Sequence, residues 1–293
     1  MAVYPDGPSG IGRVLDISFR LYRASFGKST LLALIAVFLV IAPAVLSFVV
    51  TFRSVGTPDA GSGALVTGIL SVVCSIASLG VYLGIIHQVD AAGRDAPDAA
   101  IGDAVAVGFK RLLPMIWTAI VWYLALAGSA IPAIAAAALL MDVSPMAGAL
   151  ATAVLALLPL AVLVYLMFAF VLTVTDRESG LKAVRHSYAL VKGNWWRVLL
   201  IVTVIMIIYM IISGVFAAVG GFLVGLVAVG NAQIQMMLSL GGTYLLMLLF
   251  QGLLTPYMFA GLLATLNDLR MRKEGGDLEA RLAGDVEAEA AVT

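Results

Sequence analysis

Charge is scarce in this chain, and carboxylates are missing from the stretches where they would matter most. Of its 293 residues, 12% are charged, against about 25% in soluble globular domains. None of the 17 Asp and Glu residues falls inside the six long apolar runs. Proton relays, ion-coupled carriers and intramembrane hydrolases keep an ionisable group within the bundle, because charge there is expensive and persists for a function. A proton- or sodium-coupled transporter is therefore disfavoured, with only an ion held by backbone carbonyls left open. Cys74 is the one cysteine and lies in an apolar run, which excludes an intrachain disulfide and speaks against a Cys-based metal site. The two histidines, His87 and His186, belong to no H-E-x-x-H, paired-carboxylate or Ser-His-Asp arrangement. Walker A and post-strand G-x-G-x-x-G patterns are also missing. No catalytic residue, metal ligand set or cofactor site is read, and the chain is expected not to be an enzyme. A net charge of zero and a pI near 6.7 provide no basic field for nucleic acid.

What the chain has is apolar length. Hydrophobic residues make up 62%. Six stretches (Thr30 to Phe52, Gly63 to His87, Leu113 to Leu140, Pro145 to Val174, Val198 to Val229 and Met236 to Leu266) each reach the roughly 20 residues that a helix needs to cross about 30 Å of hydrocarbon. They predict an all-α membrane protein with six transmembrane helices. The segments on one side hold 16 of the 17 Lys and Arg, leaving Arg53 alone on the other. The positive-inside rule then predicts that both termini are cytoplasmic. Short loops and Ala-, Gly- and Arg-rich usage suit a prokaryotic plasma membrane. The first stretch follows a structured, charge-bearing segment of 29 residues and is too long for a cleavable signal, so it is expected to remain as an anchor.

Each odd-numbered crossing follows an amphipathic segment, which predicts three interfacial helices and a repeat of surface helix plus membrane hairpin over 9–87, 98–174 and 175–266. In the first segment Arg13, Asp16, Arg20 and Arg23 share one helical face and Ile11, Leu15, Tyr22 and Phe26 another, with Ser9 as N-cap and Gly27 as stop. In the second, Ile101, Val105 and Leu112 form the apolar stripe, with Asp98 and Asp103 early and Lys110 and Arg111 late, as the helix dipole prefers. In the third, Thr175 and Glu178 have capping-box spacing, Leu181, Val184, Tyr188 and Val191 recur at helical intervals, and Gly193-Asn194 supplies a stop. A small residue stands beside an aromatic in each: Ser18-Phe19, Gly108-Phe109 and Ser187-Tyr188. Parallel repeats give a pseudo-threefold bundle; the other reading is that juxtamembrane loops are basic and amphipathic without shared ancestry. The whole of 1–283 is read as one membrane domain, followed by an acidic disordered tail over 284–293.

Neutral polar residues enter the crossings: Ser71, Ser75, Ser78, Ser213, Thr243, Gln251 and Thr255, by default as helix-to-helix hydrogen-bonding groups. Gly80/Gly84 and Gly221/Gly225 form GxxxG pairs. Pro43, Pro132, Pro159 and Pro256 lie inside crossings and are expected to kink them. Gln251 and Pro256 together, a buried amide near a freed carbonyl, are the intramembrane site candidate.

Three stretches, Ile11 to Gly27, Ser179 to Val198 and Thr255 to Leu278, resemble the membrane domain family associated with bacterial glycerophosphoryl diester phosphodiesterases, in its stand-alone form without a catalytic barrel. In that family an aromatic precedes the Asp-Leu-Arg element; here Asn267 precedes Asp268, Leu269 and Arg270. The resemblance implies a six-helix membrane module, with hydrolysis belonging to a separate soluble barrel that this chain has no room for.

The expected function is therefore non-catalytic: organising lipid, with anionic headgroups as the contacts, or a protein partner at the cytoplasmic face. Arg20, Arg23, Lys110, Arg111, Arg185, Lys192, Arg270 and Arg272 are the expected contacts, and Trp195 and Trp196 belong at headgroup depth. The alternative is uncoupled small-molecule or lipid translocation through the bundle.

Overall fold

A computed structural model of the chain describes residues 3–5, 7–54, 60–94, 100–141, 144–227, 246 and 249–273. These form α1 (Ile11–Ser54), α2 (Ala60–Gly93), α3 (Ile101–Lys110), α4 (Leu112–Leu140), α5 (Pro145–Leu155), α6 (Leu157–Leu166), α7 (Ala169–Thr175), α8 (Leu181–Val191), α9 (Trp195–Val227) and α10 (Leu249–Lys273). No strand occurs among the described residues. Among the described residues six segments are long and apolar enough to cross a membrane: α1, α2, α4, α5 to α7 taken together, α9 and α10. The chain is an all-α, multi-pass membrane protein. Asp98, Thr243, the start of the sixth predicted crossing and the tail over 284–293 lie outside the described residues.

Three boundaries differ from the sequence expectation. Gly27 does not stop a surface helix; α1 runs unbroken for 44 residues. A mid-helix glycine costs about 1 kcal/mol. The hydroxyls of Ser25 and Ser29, on either side of it, bond back to the carbonyls of Leu21 and Ser25 at 2.9 and 2.7 Å and stay within the helix. The capping box at Thr175 and Glu178 does not form either. Thr175 is the last residue of α7 and its hydroxyl donates to the Val171 carbonyl at 3.2 Å, while α8 starts after Gly180 at φ +55°. The sixth crossing, finally, continues past Leu266 to Lys273.

The fourth crossing is broken twice, each time for a local reason. The first break is at Ala156, three residues before Pro159, whose ring clashes with the carbonyl four residues back. At the second, between α6 and α7, the Ser187 hydroxyl accepts from the Phe168 amide at 3.2 Å and donates to the Tyr165 carbonyl at 2.8 Å. A side chain inserted into the backbone ladder is a recognised cause of a helix kink.

The described residues group into two compact units: 1–4, 15–112 and 202–264, and 5–14, 113–201 and 265–293. In the first, α3 lies directly on α2. A Cβ on Gly108 would land on the Gly80 carbonyl oxygen, and one on Gly84 would meet the Ala104 carbonyl oxygen at 2.8 Å. The Gly80/Gly84 pair thus serves the close backbone approach that its spacing allows, whereas a Cβ on Gly221 or Gly225 meets nothing within 4 Å. Tyr22 and Tyr257 meet edge to face at 5.9 Å, and the Tyr22 hydroxyl donates to the Leu253 carbonyl at 3.0 Å.

In the second unit the buried Thr118 hydroxyl is shared between Thr173 Oγ1, at 3.1 Å, and the Gly180 amide, at 2.8 Å. These two bonds fix the turn that leads into α8. Thr118→Val, nearly isosteric, leaves the Gly180 N–H without that acceptor in a buried place and is expected to cost about 1–3 kcal/mol. The measurement is the shift in thermal unfolding of the detergent-solubilised chain against wild type; Thr152→Val, at a hydroxyl bonded only to its own helix carbonyl, is the control expected to stay within about 0.5 kcal/mol.

Candidate functional site

Three aspartates at helix ends organise the charged residues. Asp90 lies in the last turn of α2, Asp176 directly follows α7, and Asp268 lies in the last two turns of α10. A carboxylate near a helix C-terminus opposes the helix dipole, so each calls for cations or donors.

In the first unit Asp90 accepts from Tyr4 Oη at 3.2 Å and pairs with Arg94 Nε at 3.0 Å. The Val3 and Tyr4 amides both bond to the Gly93 carbonyl, at 3.2 and 3.3 Å. Gly93 has no Cβ to obstruct the Tyr4 ring that packs on it.

In the second unit Asp268 is 2% exposed. It accepts from the Ser9 amide at 2.8 Å, from Arg197 Nε at 3.0 Å and from Arg272 Nε at 3.1 Å. Both guanidiniums also donate to the Ser9 carbonyl. Ser9, expected as an N-cap through its side chain, instead gives both its backbone groups to this cluster. Among the described residues one carboxylate faces two guanidiniums here, which leaves one positive charge in excess.

The other cluster in this unit is balanced. Asp176 pairs with Arg270, whose guanidinium also reaches Thr175 Oγ1 at 3.4 Å. His186 Nδ1 lies 2.9 Å from Glu178 Oε2 and 3.9 Å from Asp176 Oδ2, and Lys182 Nζ is 3.4 Å from Glu178. His186 is held between two carboxylates.

The predicted contacts separate accordingly. Arg270 and Arg272 are engaged by Asp176 and Asp268 and are only 17% and 31% exposed. Arg20, Arg23, Lys110, Arg185 and Lys192 are exposed, and Arg111 is half-buried. The paired small and aromatic positions behave alike: Ser18, Gly108 and Ser187 are buried, while Phe19, Phe109 and Tyr188 are exposed. Each aromatic has a contact on an even-numbered crossing: Phe19 with the Tyr257 ring at 5.5 Å, Phe109 where a Gly80 Cβ would lie at 3.2 Å, and Tyr188 with the Tyr165 ring at 5.0 Å.

Trp195 and Trp196 play different parts. The Trp195 indole donates to the Ala161 carbonyl at 3.3 Å. Trp196 is 76% exposed, with its ring edge-on to Trp195 at 4.6 Å. Between α8 and α9, Tyr165, Gly193, Asn194, Trp195, Trp196 and Arg197 line a cavity of about 480 Å³.

Gln251 and Pro256 are placed differently from expectation. Pro256 is buried, but Gln251 is exposed and lines a cavity of about 290 Å³ with Tyr209, Ser213 and Phe216. The Gln251 carbonyl accepts from Thr255 Oγ1 at 2.6 Å. The carbonyl that Pro256 leaves without its amide is that of Gly252, four residues back, so this hydroxyl bond lies one residue before the break. Among the described residues no group of three or more His, Cys, Asp or Glu is placed to hold a metal.

Sequence reading missed the three aspartates. Their available signal is that each closes an even-numbered apolar run three residues after a His or Thr: His87-x-x-Asp90, Thr173-x-x-Asp176 and Thr265-x-x-Asp268. Compared with protein-family models, curated proteins and solved structures, the chain matches none.

Proposed function

We propose that this protein is a non-catalytic membrane module that organises anionic lipid at the cytoplasmic face. The observation that carries this reading is the separation of its cations. Arg197, Arg270 and Arg272 are held by buried or half-buried carboxylates, while Arg20, Arg23, Lys110, Arg185 and Lys192 stay exposed beside the exposed aromatics Phe19, Phe109 and Tyr188. Exposed aromatics flanked by Lys and Arg suit the headgroup region, where the ring enters the boundary and the cation meets phosphate. The charge asymmetry of the loops supports a cytoplasmic position for these groups and for both termini, in a prokaryotic plasma membrane. The resemblance of three segments to the phosphodiesterase-associated membrane domains supports a six-helix membrane module. The matching environments of the three small-aromatic pairs and the three terminal aspartates support three parallel units.

Each Lys or Arg near an anionic surface contributes about 1 kcal/mol at most. Replacing Arg20, Arg23, Lys110, Arg185 and Lys192 together with Gln is therefore expected to cut the preference for phosphatidylglycerol over phosphatidylcholine by at least about tenfold, equivalent to 1.4 kcal/mol. Lipid partition measured by native mass spectrometry of the purified chain in mixed micelles is the test, and an unchanged preference would remove the proposal.

A second reading, uncoupled movement of a lipid or small solute, is favoured by the cavity at Gln251, which brings Ser213 and Tyr209 into a mostly apolar wall. Vesicles containing the protein should then move a headgroup-labelled lipid or a small polar solute faster than empty vesicles, and Gln251→Leu should slow it.

A further inference from the structure

We infer that the cavity between α8 and α9 is a discrete site for the headgroup of one anionic phospholipid, its phosphate held at Arg197. This rests on the reading of the protein as a lipid-organising module and names a single place within it. Three independent features converge on the cavity.

The first is charge. Asp268 carries one negative charge and faces Arg197 and Arg272, so the cluster formed with Ser9 retains one positive charge. Its members are 2% to 31% exposed, and at such burial an excess charge is poorly screened by water. Among the described residues the other acidic groups of this unit near α8 are already committed, Asp176 to Arg270 and Glu178 to Lys182 and His186. Among the described residues no carboxylate lines the cavity itself. Arg197 uses Nε on Asp268 and one Nη on the Ser9 carbonyl, and its remaining guanidinium N–H groups match the fork geometry that suits phosphate oxygens.

The second is the wall. Tyr165, Trp195 and Trp196 form it, and two of the rings are fixed: Trp195 by its bond to the Ala161 carbonyl and Tyr165 by its contact with Tyr188. Rings of this kind, amphipathic and pre-positioned, suit the glycerol and upper acyl region. Trp196, largely exposed, forms the lip.

The third is access. Gly193 has φ +92° and a Cβ there would meet nothing within 4 Å, so the floor beside Asn194 is open. The first amides of α9, which have no intrahelical acceptor, lie along the same edge.

The same phosphate chemistry occurs on soluble glycerophosphodiesters. The exposed Trp196 lip and the volume of about 480 Å³, larger than a phosphate alone requires, select the lipid.

The test uses the full chain in detergent, titrated with phosphatidylglycerol and read by native mass spectrometry. One tightly bound lipid per chain is expected. Trp196→Ala, at an exposed position that leaves the fold intact, and Arg197→Lys, which keeps the charge facing Asp268 but loses the fork, should each weaken that lipid at least tenfold. The variant lacking those five cations should keep the tight lipid while losing the weakly held ones. A tight lipid unaffected by Trp196→Ala in a chain that melts as wild type overturns the site but leaves the broader reading standing. Loss of the tight lipid in the five-cation variant, with Trp196→Ala silent, moves the binding to the exposed cations. Inorganic phosphate or glycerophosphoglycerol displacing the lipid at equal concentration overturns the choice of a lipid as ligand.

Discussion

Replacing Asp268 with Asn is expected to destabilise the protein by about 3–5 kcal/mol, the range for removing one partner of a buried ion pair. The carboxylate is 2% exposed and receives the Ser9 amide, Arg197 and Arg272. Asparagine preserves the shape and one acceptor for Ser9, but it leaves two guanidiniums, 20% and 31% exposed, with no counter-charge. That loss dominates over any change in packing. Thermal unfolding in detergent, followed with limited proteolysis near Ser9, is the measurement. Asp16→Asn, at an exposed position of α1, should stay within about 0.5 kcal/mol. Adding Arg272→Met to Asp268→Asn should recover part of the loss, because it removes one of the two stranded charges. The double-mutant cycle then isolates the pair. A variant Asp268→Asn that melts with wild type would mean that water solvates both guanidiniums without the carboxylate.

This cluster also marks where sequence reasoning ends. Apolar length depends only on neighbours along the chain, so the six crossings were legible, as were the stop at Gly193 and the short helix over Ile101–Lys110. Helical periodicity separates adjacent residues onto different faces, but it did not say which face is buried: Tyr188 and Leu181, read on the apolar stripe with Val184 and Val191, are exposed, while Ser187 is buried. The ion pairs were not legible. Asp268 meets Ser9 across 259 positions, and nothing in local spacing tells a cation that will bind a lipid from one that will be taken by a distant carboxylate. Arg270 and Arg272 looked like surface contacts for this reason. Gly27 and Thr175 failed differently: each carries a genuine local signal for a boundary, yet the backbone stays helical there, with the hydroxyls of Ser25, Ser29 and Thr175 bonded back to carbonyls one turn earlier. Gln251 was expected to be buried because its run is apolar, but run composition does not say which face of a helix meets protein.

Gly108→Ala provides the sharpest test of the packing, since one methyl group is expected to separate two helices. The added Cβ would sit against the Gly80 carbonyl oxygen and 2.8 Å from the Gly84 amide nitrogen. Both obstacles are backbone, so no rotamer change can relieve them; α3 must move away from α2. Overpacking of this kind costs about 1–3 kcal/mol, occasionally more, and it outweighs the gain in helix propensity of about 1 kcal/mol that alanine brings over glycine. At Gly102, on the same helix, a Cβ meets nothing within 4 Å, and Gly102→Ala should be neutral or stabilising. The two substitutions add the same atom to the same ten-residue helix, so propensity cancels and opposite shifts in melting temperature report contact alone. Phe109 adds a second readout. Its ring packs on Gly80, and displacing α3 should free it, so that a fluorophore or nitroxide placed at Lys110 becomes more mobile in Gly108→Ala but not in Gly102→Ala. Equal melting temperatures for the two variants would show that α3 does not hold its close backbone contact with α2 in the membrane.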